Sequence, residues 1–227
     1  DVMSVNTAAN PNIIIIAANE SNMSGDNIVK DGKAENVKLS NAYPFYSPLT
    51  FNAEHISYTL TPSVNYDIKS NKGWTTLVLP FAADGCQTTI DGAVTPLNWY
   101  IRGRNTGDIL LATFTAEDGS TLSFDFPEGS ILNPCHPYLL GVPATMSGGR
   151  SIAGLPITFY AHDAIVGVGK ASVTGVNYKM MGTFTPVGGS SAVKGLSAGN
   201  SGSATYTLDG EGAAFVPEQF AFNNGFA

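Results

Sequence analysis

The sequence predicts an all-β fold: an antiparallel β-sandwich, jelly-roll-like, with a short N-terminal β appendage. Three observations lead there. Apolar and polar residues alternate with period two in many short segments. Turn signals rich in Gly, Pro, Asn and Asp separate these segments at roughly 8–12-residue spacing, as in sandwiches and barrels. No segment keeps a 3.6-residue period for more than about two turns.

The elements follow in chain order. Ile13–Ala17 and Val37–Leu39 read as strands within an Asn-rich, aromatic-poor stretch. Residues 1–43 are therefore read as an appendage, or as the tail of a preceding module. Residues 44–227 are read as the sandwich itself. Ser57–Leu60 is the next strand. Thr75 to Phe81 is β-rich and broken by Pro80, which cannot donate to a ladder. Leu77, Leu79 and Phe81 would share a buried face, with Trp74 near its start. Ile109 to Thr115 and Thr121 to Phe126 flank Glu117-Asp118-Gly119-Ser120 and predict a hairpin. Tyr138–Val142 would face the Leu77 set, with Pro143 ending it. Ile157–Tyr160, Tyr178–Phe184, Tyr206–Leu208 with Ala213–Val216, and Phe220–Phe222 complete the strands. Gly188 to Gly202 is rich in Gly, Ser and Ala and reads as a surface loop. Five Asp-Gly dipeptides, at Asp31, Asp84, Asp91, Asp118 and Asp209, mark turns, because Asp tolerates and Gly supplies positive φ.

Composition limits the function. The chain has 227 residues, 43% of them apolar, enough for a sizeable core. Only 13% are charged, about half the usual share of roughly 25%. A formal charge of −7 argues against nucleic acid, whose phosphates need clustered Lys and Arg. The longest apolar run, Ile13 to Ala18, falls far short of the roughly 20 residues that span a bilayer. Low Lys with abundant Thr, Ser, Asn and Gly fits an exported, extracellular or cell-surface protein. Cys86 and Cys135 both lie in turn-like contexts. The sequence leaves open whether they are two thiols or a disulfide, which would contribute about 4 kcal/mol by closing a long loop.

Catalytic motifs are thin. His55, His136 and His162 lack metal-ligand spacing. His162 and Asp163 are strand neighbours, expected to point to opposite faces and so to be poorly placed as base and orienter. Gly167 to Ser172 lacks the spacing of a phosphate loop, and small residues entering a hairpin or bulge explain it. Asp108, Glu117, Asp118, Asp125 and Glu128 are the densest carboxylates, the place to look for a glycosidase pair, but most flank turns. Neither a catalytic residue nor a cofactor or metal is expected. The better candidates are aromatic. Trp99 and Tyr100, beside Arg102 and Arg104, would form an exposed stacking platform for sugar rings.

Several phrases occur together: Asn10-Pro11-Asn12 before an apolar strand; Asp31-Gly32-Lys33-Ala34; Tyr43-Pro44-Phe45-Tyr46; Gly73-Trp74-Thr75-Thr76-Leu77-Val78-Leu79-Pro80-Phe81; Pro137-Tyr138-Leu139-Leu140-Gly141-Val142-Pro143; and Phe215-Val216-Pro217. In this order they resemble a β-rich module near the C-termini of large exported proteins of Bacteroidetes. The resemblance implies a secreted or cell-surface part with no common catalytic site. The expected function is then a non-enzymatic structural or adhesive module, partnered by other surface-protein modules or glycans. Ile13–Ile16 is a candidate for self-association by strand addition. A carbohydrate-binding module and a glycosidase are the alternatives.

Overall fold

The structure is a computed structural model. It describes residues 10–103, 106–118, 121–167, 171–175, 179–182, 184, 206–208 and 211–217. The expected strand at Phe220–Phe222, the loop from Gly188 to Gly202 and Arg104 lie outside them. All regular structure among the described residues is β, and no helix is long and apolar enough to cross a membrane.

Fifteen strands occur among the described residues. They are β1 Ile15–Ala17, β2 Ile28–Lys30, β3 Lys33–Ser40, β4 Phe51–Leu60, β5 Trp74–Leu77, β6 Gly85–Ile90, β7 Ala93–Leu97, β8 Leu110–Asp118, β9 Thr121–Asp125, β10 Tyr138–Gly141, β11 Ile157–Val166, β12 Ala171–Thr174, β13 Lys179–Gly182, β14 Tyr206–Leu208 and β15 Phe215–Pro217. Seven form one sheet in the order β1-β2-β3-β4-β11-β6-β7. Four form a second, β5-β10-β8-β9. Most neighbours are antiparallel, but β1–β2 and β3–β4 are parallel pairs. The predicted sandwich of two packed sheets is present, with a strand order of its own.

Alternation builds the core. Leu39, Ile56, Tyr58, Phe159 and Leu97 of the large sheet join Leu77, Leu111, Tyr138 and Leu140 of the small one in a single buried cluster. The small sheet is also covered on its other side. Ala112, Phe114 and Leu139 are buried yet stand outside that cluster. Gly175, just beyond β12, lies against the Phe114 ring. That is why β10 is buried at all four positions instead of alternating. It is also why Val78 and Pro80 are buried along with Leu77, Leu79 and Phe81: Gly182 packs on Val78, and Gly167 N donates to Pro80 O at 2.6 Å.

The predicted boundary between residues 43 and 44 does not hold. β1–β3 continue the seven-stranded sheet, and Val29, Ala34, Val37 and Leu39 belong to the common core. Two buried asparagines hold this region. Among the described residues, the only strand pairing at the outer edge of β3 is Lys30↔Lys33. Farther along that edge, side-chain amides pair with the strand. Asn27 accepts from Lys38 N at 2.7 Å and donates to Lys38 O at 3.0 Å and to Pro11 O at 2.6 Å. Asn12 accepts from Ser40 N at 2.9 Å and donates to Ser40 O at 2.8 Å and to Tyr43 O at 2.6 Å. Each amide offers the donor and acceptor of a missing peptide group.

Two Asp-Gly pairs are two-residue hairpin turns with both residues at positive φ: Asp31 (48°) with Gly32 (70°), and Asp91 (53°) with Gly92 (78°). This geometry matches the twist of the strands it joins. Asp84-Gly85 is different, because Gly85 opens β6. Gly119, Gly210 and Asp209 lie outside the described residues.

Candidate functional site

β3, β4 and β11 share an irregularity. Inward residues on a strand should recur every second position. On β3 they step from Ala34 to Val37, on β4 from Ala53 to Ile56, and on β11 from Ala161 to Ala164. Each strand carries one extra outward residue at the same level, so the pairings Ala34↔Ala53↔Ala164 and Val37↔Ile56↔Ala161 are kept. The three strands bulge in step. Asp163, at φ 49°, takes the strained position on β11. The expectation that His162 and Asp163 point to opposite faces is overturned here: the bulge turns both outward, and both are exposed.

Ordinary alternation and strand register align Asn36, His55 and His162 across the outer face of the large sheet, and the irregularity lies just beyond them, at Glu35, Glu54 and Asp163. The His55 and His162 rings meet edge to face, with centroids 5.3 Å apart. Tyr160 adjoins His162 at 5.8 Å. Asp84 is fixed beside them: its carboxylate accepts from His162 N at 3.0 Å and lies 3.8 Å from His162 Nδ1. Glu54 lies 3.8 Å from His55 Nε2. The phenol of Tyr160 folds over Gly85, where a Cβ would stand 2.6 Å from its hydroxyl. The next rows hold Ser57 beside Tyr160, then Thr59, Thr158 and Gln87. The Thr59 and Thr158 hydroxyls are hydrogen-bonded at 2.9 Å. Gln87, Thr88, Thr89, Pro156 and Thr158 line a shallow hollow at the end of this row. These rows are polar, and Ile165 at the far end of β11 is exposed beyond them.

The sequence-predicted platform is elsewhere and is not exposed. Trp99 is 7% exposed and belongs to the core, with Nε1 facing Gly129 O at 3.5 Å. Leu97, Trp99 and Ile101 are all buried, so the ring follows ordinary alternation inward. That pattern was the available signal; the neighbouring turn and arginines obscured it. Tyr100 is half-buried and meets Phe126 edge to face at 4.7 Å, while Arg102 pairs with Asp125. Trp74 and Tyr66 form a tilted pair, with both polar tips on Asn71 Oδ1.

Other predicted residues have structural partners. Cys86 and Cys135 are not joined. Cys86 is buried, its thiol pushed up by burial and by the Asp108 charge, and its sulfur contacts Leu97 O at 3.4 Å. Asp108 is buried and accepts from Asn98 N, Ser147 N and Ser147 Oγ at 2.9, 3.0 and 2.8 Å. Among the densest carboxylates, Asp108 pins loops, while Asp125 and Glu128 both face Arg102, Glu128 at 4.0 Å. His136 Nε2 meets Thr113 Oγ1 at 2.6 Å, and its ring lies 4.6 Å from that of Tyr138. Among the described residues no group of three His, Cys, Asp or Glu is placed to hold a metal ion, and no buried side-chain polar atom lacks a partner.

Comparison with family models, with curated proteins and with solved structures finds no match. Of the histidines singled out by sequence, the fold brings His55 and His162 together and leaves His136 apart, on Thr113. The pairing of β4 with β11 that joins them is a long-range feature.

Proposed function

We propose that the chain is a non-enzymatic extracellular module with a structural or adhesive role in a bacterial surface protein or appendage, and that it makes contact through the outer face of the large sheet. The observation that carries this reading is the face itself. It spans β3, β4, β11 and β6, and it presents hydroxyl, amide and imidazole groups in register instead of a cleft. Polar rows of this kind suit contact over area, in which many modest hydrogen bonds add up. The resemblance to the exported Bacteroidetes module supports the location.

The test is adhesion of beads carrying the chain to glycan-coated and protein-coated surfaces. A control variant carries Ser57→Glu, Thr59→Glu and Thr158→Glu. Adhesion by the native chain, lost in a variant of unchanged thermal midpoint, is the expected result. Equal adhesion of both removes the face from the reading. Turnover of a glycoside or peptide substrate removes the non-enzymatic part.

A further inference from the structure

We infer that His55 and His162 form a two-histidine binding site for a divalent transition-metal ion, copper(II) ahead of zinc(II), on the outer face of the large sheet. The site stands whether or not that face is adhesive.

Backbone direction decides how close the two side chains come. His162 gives its N–H to the Asp84 carboxylate at 3.0 Å, and Tyr160 O accepts from Asp84 N at 2.9 Å. Asp84 directly precedes β6, on the side of β11 away from β4. In an antiparallel ladder the N–H and C=O of one residue point the same way. Thr158, Tyr160 and His162 therefore turn theirs toward β6, and their pairings with Thr59, Ser57 and His55 are of the narrow, non-hydrogen-bonded kind. Facing Cα atoms in such a pair lie about 4.5 Å apart, the closest approach a ladder offers two side chains. The Thr59 and Thr158 hydroxyls, 2.9 Å apart, show that approach on the same face.

The spacing suits a shared ion. Two imidazole nitrogens about 2.0–2.1 Å from one metal, at a near-tetrahedral angle, put the ring centres about 5 Å apart. The His55 and His162 centroids are 5.3 Å apart. The rings meet edge to face in the free chain, but the side chains are 53% and 57% exposed. Rotation about side-chain bonds brings one nitrogen of each to a common ion without moving the strands. Each ring also has a carboxylate beside one nitrogen: Glu54 lies 3.8 Å from His55 Nε2, and Asp84 lies 3.8 Å from His162 Nδ1. A carboxylate favours the N–H on the nitrogen it faces and leaves the other nitrogen's lone pair for a metal.

Charge and donor type choose the ion. Glu54 and Asp163 are exposed next to the two histidines on their strands, and the β3 cation Lys38 is paired with Asp26 at 2.9 Å. With a formal charge of −7 on the chain, a cation is drawn to this set. Imidazole donors select copper, nickel and zinc over calcium and magnesium, which take oxygen ligands, and the general affinity order puts copper(II) first. Among the described residues no third His, Cys, Asp or Glu completes a cage, so water fills the remaining positions.

The experiment titrates the full chain, free of any purification tag, with copper(II) and zinc(II) chloride, and with calcium chloride as the hard-ion control. Imidazole NMR signals and the thermal midpoint are the readouts. Paramagnetic copper(II) should broaden the His55 and His162 signals together and spare His136, which sits apart on Thr113. Zinc(II) should raise the midpoint, because it binds the folded pairing of β4 with β11. His55→Gln and His162→Gln should each weaken copper binding by about tenfold or more, since even partners that only orient a ligand are felt on that scale. The metal-free midpoint of each variant reports its fold. His136→Gln should leave copper binding unchanged. Broadening of neither histidine, or of one alone, overturns the inference. So does copper affinity unchanged by both substitutions, or an equal response to calcium, which would make carboxylates the ligands.

Discussion

Asn27 does the work of a short stretch of strand with one side chain. Its amide closes both hydrogen-bonding groups of Lys38 and a third at Pro11 while 5% exposed. Asn27→Asp keeps the shape and removes both donors, leaving a buried carboxylate against two carbonyls. We expect a loss of about 2–3 kcal/mol, the cost of unsatisfied buried groups, measured by urea unfolding. His136 offers a pH test. Burial holds its pKa below the ordinary histidine value. The unfolded chain then takes up the proton first. Its contribution to stability is complete above the ordinary value of about 6.5 and is lost as pH falls from there toward the lowered folded value. The urea midpoint should fall over that window, and His136→Gln should flatten the fall. Neither residue's role was legible in the sequence. Asn27 looked like one more turn residue, because its partners Lys38 and Pro11 are distant in the chain.

At the scale of elements, legibility followed alternation. The β8–β9 hairpin, β10 and the start of β11 were readable because large apolar residues recur at every second position or in a run. β6 was not: Gly-Cys-Gln-Thr-Thr-Ile looks like a loop until its pairing with β11 is known. β7 was hidden by Pro96, which sits on an edge strand, where proline is tolerated. Glycines separate local from long-range constraint. Gly92 has positive φ and open space around a Cβ, so Gly92→Ala should cost only the backbone penalty, about 1 kcal/mol. Gly212 also has positive φ, but a Cβ there would stand 2.1 Å from Trp74 O. It is where the β14–β15 hairpin docks on the strand edge, through Gly73 N to Glu211 O and Trp74 N to Gly212 O. Gly212→Ala should therefore lower the thermal midpoint more than Gly92→Ala and raise proteolysis near residues 206–217. Equal effects of the two substitutions would contradict the docking.

For the whole molecule, the decisive result is that the first strands are structural. Read from sequence, residues 1–43 looked detachable because they are rich in Asn and hold a single aromatic, Tyr43. Their contribution is aliphatic instead: Val29, Val37 and Leu39 are at most 3% exposed in the shared core. Deleting residues 1–40 should leave a chain without a cooperative thermal transition by circular dichroism. A truncated chain that melts cooperatively near the native midpoint would restore the appendage view. The sandwich was predictable because burial of alternating residues is a local signal. The meeting of Tyr160 and His162 with His55 was not, because it exists only once β4 and β11 are side by side.

The pairing of β4 with β11 carries a consequence for biogenesis. Thr59 and Thr158, joined through their hydroxyls, are 99 positions apart. On a ribosome delivering roughly 5–20 residues per second, β4 waits for several seconds before its antiparallel partner exists. During that interval Phe51, Ile56, Tyr58 and Leu60 have only β3 beside them. The nascent chain must be shielded over that span, and assembly completes late and all at once, in the slow regime of folds closed by distant contacts.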